Sequence, residues 1–315
     1  MTQKQYCVPL LFKGGFPPTD LPTNFSLTVK RNNQLKMQLD LPKYHKTREL
    51  LAELCLKERE LCFIEPVPES QLDSNSGHFI PAVLVEKQSE STPLRRCFDC
   101  SAKLKNKNSL NDLLYAGPNL VPKIFDIIIR SRFSRYFLLC DISKAFLRLT
   151  LIEKYRNFVK IILRLDWNDP KSKDVIYRFR TVLFGSSCSP FLLQATIAYH
   201  LKQINMEYLL DNLFVDDISF FKNNTNDLLS SQNAAVTAFN QISMPLSKYV
   251  SNNVEVTKSL VASGLISKPQ RECKLLGMHI NLEYDCFSIK LPIFNISNPT
   301  LTSVLSDHAR VWDMI

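Results

Sequence analysis

Glycine is scarce in this chain, seven in 315 residues, which excludes a collagen-like fibre with its glycine at every third position. Long apolar runs are missing as well. The richest stretches, residues 124–129 and 136–140, are short and hold or border charges, so no segment reaches the roughly 18 apolar residues of a membrane-spanning helix. The first residues, Met1-Thr2-Gln3-Lys4-Gln5-Tyr6-Cys7, lack the apolar stretch of a secretory signal. A cytoplasmic protein with no membrane partner is expected. Cysteine is present nine times, an odd number without a repeating frame, which fits reduced thiols inside a cell better than a disulfide scaffold. No internal repeat or low-complexity tract is visible.

Apolar residues make up 45% and charged residues 22% of the chain, the balance of an ordinary globular protein with a buried core. Lysine and arginine outnumber aspartate and glutamate by 39 to 30, a net charge of +9 that suits a polyanionic partner such as nucleic acid. Leucines spaced among glutamates predict a helix over residues 47–61. Turn formers over residues 66–76 place a boundary there. Beyond it, residues 78–85 and 96–98 read as a hairpin with a polar tip, and residues 111–130 read as helical with a break at Gly117-Pro118. A strand over residues 136–140 runs into Asp141, and a helix over 190–203 follows the small-residue loop Gly185-Ser186-Ser187-Cys188-Ser189.

The next segment, residues 209–221, consists of two apolar arms around Asp216-Asp217. The arms are too short for two helices, so a β-hairpin would carry the pair at or near its turn. Adjacent carboxylates repel one another and favour either protonation or a divalent cation, and their hard oxygens select magnesium over zinc. A lone Asp-Asp is more simply an exposed acidic turn. Here, however, Asp141 ends a second apolar strand and could stand beside the pair, inside a basic chain. Two ions held there could activate an attacking hydroxyl and steady a leaving phosphate, which is the chemistry of nucleotidyl transfer.

These residues resemble the reverse transcriptases of BEL/Pao-type retrotransposons. Phe214-Val215-Asp216-Asp217 is similar to the F/Y-x-D-D box, and Cys140-Asp141-Ile142-Ser143-Lys144-Ala145-Phe146 to the segment of the first catalytic aspartate. Phe184-Gly185-Ser186-Ser187-Cys188-Ser189-Pro190-Phe191 resembles the FG-x-x-x-SPF box, and Arg95-Arg96-Cys97-Phe98-Asp99-Cys100-Ser101-Ala102-Lys103 resembles the R-V-V-F-D-A-S-A-K segment. Leu246-Ser247-Lys248-Tyr249 and Leu275-Leu276-Gly277-Met278 match later boxes in order. Specificity lies in that order, since each box alone is weak. The resemblance implies an α+β right-hand polymerase with an antiparallel palm sheet packed on helices. Residues 1–75 would be an arm following an absent protease, 76–263 fingers and palm, 264–290 a primer-grip-like hairpin, and 291–315 the start of a truncated thumb. The chain would be a fragment of a larger polyprotein or a decayed genomic copy. The site of action would be the cytoplasm, including virus-like particles, or the nucleus.

By the same resemblance, Asp141, Asp216 and Asp217, with the backbone carbonyl of Ile142, would hold two Mg2+ ions. Lys248 would protonate the departing pyrophosphate. Arg95, with Lys87 as a weaker candidate, would grip the triphosphate of an incoming deoxynucleotide. Phe146 would abut its sugar and exclude a 2′-hydroxyl, and Gly185 with Phe184 would let the template or nucleotide approach closely. The partners would be an RNA or DNA template with its primer, and deoxynucleoside triphosphates. Cys97 and Cys100 form a C-x-x-C, but no second pair or suitably spaced histidine pair completes a zinc site. The five histidines are scattered singly, and His78 and His200 read as packing or hydrogen-bonding residues. Ser143 takes a place often acidic in the family, and no metal ligand is lost. A catalytically inactive nucleic-acid-binding remnant of a retroelement is the alternative function, and an unrelated basic scaffold protein the third.

Overall fold

The computed structural model describes residues 5–15, 21–72, 77–86, 94–164, 166–167, 169, 171–288 and 300–308. They form two compact units. The first combines Gln5–Asn119 with Lys144–Thr196; the second combines Leu120–Ser143 with the chain from Ile197 onward.

The first unit opens with strand β1 (Cys7–Val8) and the helices α1 (Phe25–Leu39) and α2 (His45–Glu60). Asn24, ahead of α1, exchanges two buried hydrogen bonds with the backbone of Phe79, at 2.6 and 2.7 Å. Arg31 on α1 pairs with Asp99 at 2.6 Å. The buried stripe of α2 is Thr47, Leu51 and Cys55, a four-residue repeat, whereas Leu56 and Leu61 of the leucine pattern are exposed. Strands β2 (Ile64–Pro66), β3 (Ala82–Glu86) and β4 (Leu94–Phe98) follow. The expected hairpin is therefore β3 paired antiparallel with β4, Val85 opposite Arg95. Its tip, with Lys87, lies outside the described residues. The compact units do not separate near residue 75: as far as it is described, the expected arm belongs to the same unit as the residues up to Asn119.

A capping box between Ser109 and Asp112 starts the short helix α3 (Leu110–Leu113). The expected helical stretch over 111–130 is only partly helical. Gly117 at φ 80° and the prolines at 118 and 122 keep the chain extended between α3 and α4 (Ile124–Arg132). Strand β5 (Tyr136–Ile142) follows α4 in the second unit. The chain then re-enters the first unit for β6 (Thr150–Leu151), α5 (Glu153–Arg156), β7 (Lys160–Arg164) and β8 (Asp174–Phe179). There β1 pairs parallel with β6, and β2, β8 and β7 form a three-stranded sheet. Helix α6 (Ser189–Gln203) leads back to the second unit.

In that unit β9 (Leu213–Phe214) and β10 (Asp217–Lys222) are followed by α7 (Thr225–Asn240), β11 (Leu246–Ser251) and α8 (Val254–Ala262). The four strands make an antiparallel sheet in the order β11-β5-β10-β9. Most of the expected first apolar arm is a 3-10 turn, Glu207–Asn212, so β9 is only two residues long. Strands β12 (Glu272–Leu275), β13 (Met278–Asn281) and β14 (Cys286–Ser288) form a three-stranded meander rather than a lone hairpin. Its first turn, Leu276-Gly277, has φ of 49° and 96°, the double left-handed geometry that matches strand twist in tight hairpins. Of the expected thumb start, residues 300–308 are described and carry α9 (Leu301–His308).

Central strand β5 explains the run of apolar residues before Asp141. Phe137 and Leu139 pack on Leu275 and Ile280 of the meander. Leu138 and Cys140, with cross-strand partners Phe220 and Ile218, form the opposite face, against α7. Covered on both faces, residues 137–140 are all buried.

Candidate active site

Side chains alternate along a strand, and directly opposed residues of an antiparallel pair share a face. In the register of β5 and β10, Phe137 faces Phe221, Leu139 faces Ser219 and Asp141 faces Asp217. The two aspartates are therefore the last rung of a ladder whose earlier rungs are largely apolar. Asp216 sits one residue earlier, in the two-residue turn from β9 to β10, where Phe214 pairs with Asp217. The Ile142 amide donates to the Asp216 carbonyl at 2.7 Å and the Ser143 amide to the Pro245 carbonyl at 2.9 Å, pinning the end of β5 to both neighbours.

Val215, the first residue of that turn, has φ 55°. A β-branched side chain in the left-handed region is strained by about 1–3 kcal/mol, and such strain persists where the surroundings enforce it. The pairing of β10 with both β5 and β9 is what enforces it here.

Lys248 lies on β11, where the register with β5 slips between Ser247 and Val250, and its own φ is 55°. A bulge of this kind re-aims a side chain. Its ammonium forms an ion pair with the Asp141 carboxylate, at side-chain exposures of 66% and 26%. Burial, a hydrogen bond shared with Asp141, and the charges of Asp141 and Asp216 push the Asp217 carboxyl up to about 7, against the pull of Lys248. Beneath them, burial raises the Cys140 thiol well above its ordinary range, with Asp141 and Asp217 adding to the shift. A cavity of about 220 Å³ adjoins the pair, lined by Asp141, Asp217, Ser219 and Lys248 together with Cys273 and Leu275 of β12.

The remaining expected site residues belong to the first unit. Arg95 is exposed on β4. Arg96 beside it is the structural one: its guanidinium pairs with Glu58 at side-chain exposures of 4% and 13%, and contacts the Cys55 thiol at 3.2 Å. Phe146 is buried and its ring lies 4.3 Å from that of Phe184, which is exposed. Gly185 has φ 99°, and a Cβ there would stand 2.2 Å from the Phe98 carbonyl oxygen. Asn111, to which the sequence assigned no role, holds this loop. Its amide donates to the Gly185 carbonyl at 2.9 Å, and its oxygen accepts from the Ser187 amide at 2.8 Å. His200 meets the Ala238 carbonyl at 2.9 Å, as a hydrogen-bonding residue should.

Whether the acidic rung suits a divalent cation is a matter of donor chemistry. Three carboxylates supply hard oxygens, and burial together with the neighbouring carboxylates Asp141 and Asp216 raises the Asp217 carboxyl, so a cation there would favour its charged form. The donors suit the ion, although among the described residues no three acidic, histidine or cysteine side chains converge on one point as they stand. None of the described helices is long and apolar enough to cross a membrane. A family model described as reverse transcriptase (RNA-dependent DNA polymerase) matches residues 84–280, well over half of the chain and including every residue of the acidic rung. No match was found among the curated proteins.

Proposed function

Because the chain belongs to the reverse transcriptase family, whose members bind a template with its primer and polymerise DNA on it, we propose that its acidic rung is a working nucleotidyl-transfer centre. The observation that carries this reading is the pairing of Asp141 directly across from Asp217, with Asp216 in the adjoining turn. Asp141, Asp216 and Asp217, with the carbonyl of Ile142, would hold two Mg2+ ions. When bound, such ions lower the pKa of the primer 3′-hydroxyl and offset the charge of the triphosphate.

The other roles fall to the chain's own side chains. Lys248, an ammonium on a mobile four-carbon stem beside Asp141, is suited to give a proton to the departing pyrophosphate. Arg95 offers an exposed planar fork to triphosphate oxygens. Phe146, packed against Phe184, would by the family resemblance abut the sugar of the incoming nucleotide and exclude a 2′-hydroxyl. Gly185, whose missing side chain makes room for the Phe98 carbonyl, would by the same resemblance let the template or nucleotide approach its loop closely. The ordered boxes support a BEL/Pao-type retrotransposon as the source.

Primer extension tests the reading. The wild-type chain is expected to extend an annealed primer in Mg2+, with Asp216→Asn at least a hundredfold slower. Equal incorporation by the two would reject it. The second reading, a nucleic-acid-binding remnant, needs only the basic surplus of the chain. Its signature is template-primer binding that weakens steeply with salt and no extension.

A further inference from the structure

Lys248 is engaged with one of the rung's own carboxylates. Its ammonium sits on the carboxylate of Asp141, the same group that is hydrogen-bonded to Asp217. The bulge between Ser247 and Val250 and the left-handed backbone at Lys248 aim the side chain there. A second lysine, Lys274 on β12, lines the same cavity without an ion pair to Asp141. We propose that Lys248 is the resident counter-cation of the metal-free centre, a placeholder that a divalent ion must displace from Asp141. This rests on the reading above, that the rung holds metal.

The pairing has two consequences. Competition for one carboxylate means that each cation weakens the binding of the other by the same factor. An ion must therefore overcome the Lys248–Asp141 pair to enter, and its entry frees the ammonium from Asp141. The free, charged Lys248 is then available near the leaving group only when the centre is loaded. Charge is conserved in the exchange: Lys248 keeps its proton, and no bond is made or broken beyond ligand replacement. The side-chain exposure of Lys248 leaves it room to swing out toward the cavity.

Mn2+ serves as the probe, with free ion followed by electron paramagnetic resonance in titrations of the full chain and no nucleotide present. An exposed ion pair sets the scale, so Lys248→Met is expected to bind Mn2+ about fivefold tighter than the wild type. Lys248→Arg should remain within twofold of it. Lys274→Met removes an equal charge from the same cavity and should change the affinity less than twofold. The second readout is the unfolding midpoint: Lys248→Met should fall below the wild type in a chelator and rejoin it at saturating Mn2+. Unchanged Mn2+ affinity in Lys248→Met, with tight binding by the wild type, overturns the placeholder role. Equal tightening in Lys248→Met and Lys274→Met overturns it too, because general charge would then account for the effect. If neither the wild type nor Lys248→Met binds Mn2+, the metal reading itself has failed, and the placeholder with it.

Discussion

At the scale of single residues, two positive-φ positions make opposite predictions. Gly185 at φ 99° has no room for a Cβ, which would meet the Phe98 carbonyl at 2.2 Å. Gly185→Ala is therefore expected to destabilise the chain by about 2 kcal/mol or more, read from the denaturant midpoint. Val215 at φ 55° is the reverse case, a branched side chain where glycine is the natural occupant. Val215→Gly is expected to gain about 1 kcal/mol of stability while slowing primer extension, because relaxing the turn loosens Asp216. A stability loss in Val215→Gly would show that the turn is not strained. Both positions carry recognisable motif letters in the sequence. What the letters could not tell is that one glycine is obligatory and one valine strained, since that depends on neighbours far along the chain.

At the scale of elements, strand alternation sorts the adjacent arginines of β4. Arg95 points to solvent and Arg96 inward to Glu58. Arg96→Met would leave the buried Glu58 without its partner, a loss of about 3 kcal/mol by thermal or urea unfolding. Arg95→Met should change stability by less than about 0.5 kcal/mol while raising the KM for nucleotide. A large stability loss in Arg95→Met would reverse the assignment. The central elements were legible in the sequence because local pattern and tertiary setting agree there. Strand β5 into Asp141, helix α6 and the hairpin bearing Asp216-Asp217 were all anticipated. Three features were not. The helix expected over 47–61 is present, but its buried stripe is Thr47, Leu51 and Cys55, so only one of the patterned leucines belongs to it. The first arm of the acidic hairpin coils into a 3-10 turn. The Asn111 clamp joins segments more than seventy positions apart. Each is decided by a packing partner that periodicity does not reveal.

At the scale of the whole molecule, stability should depend on acidity through His78. The ring is buried, with one nitrogen near the Pro22 carbonyl at 3.3 Å and the other unpartnered. Burial lowers its pKa from the usual 6.5. The unfolded chain therefore takes up a proton near pH 6.5 while the folded one resists it. The stability present above that pH is lost as the pH falls through the folded value. The urea midpoint should drop between pH 7.5 and pH 5.5, and the drop should shrink in His78→Gln; an equal drop in both would assign the effect to other groups. The surplus of nine positive charges was visible from composition and agrees with a polyanionic partner. The division into compact units joins segments distant in sequence, which a linear reading does not reveal.

That division also governs how the protein can be made. The chain passes between the units after residues 119, 143 and 196, so no single cut yields a complete half. On the ribosome, β5 emerges with both hydrogen-bonding edges bare and must wait until β10 and β11 have been synthesised before either is covered. Its run of four consecutive buried residues, 137–140, is a sticky segment throughout that interval. Slow translation or a shortage of chaperones should therefore reduce the yield of soluble chain before any defect of the finished centre is felt.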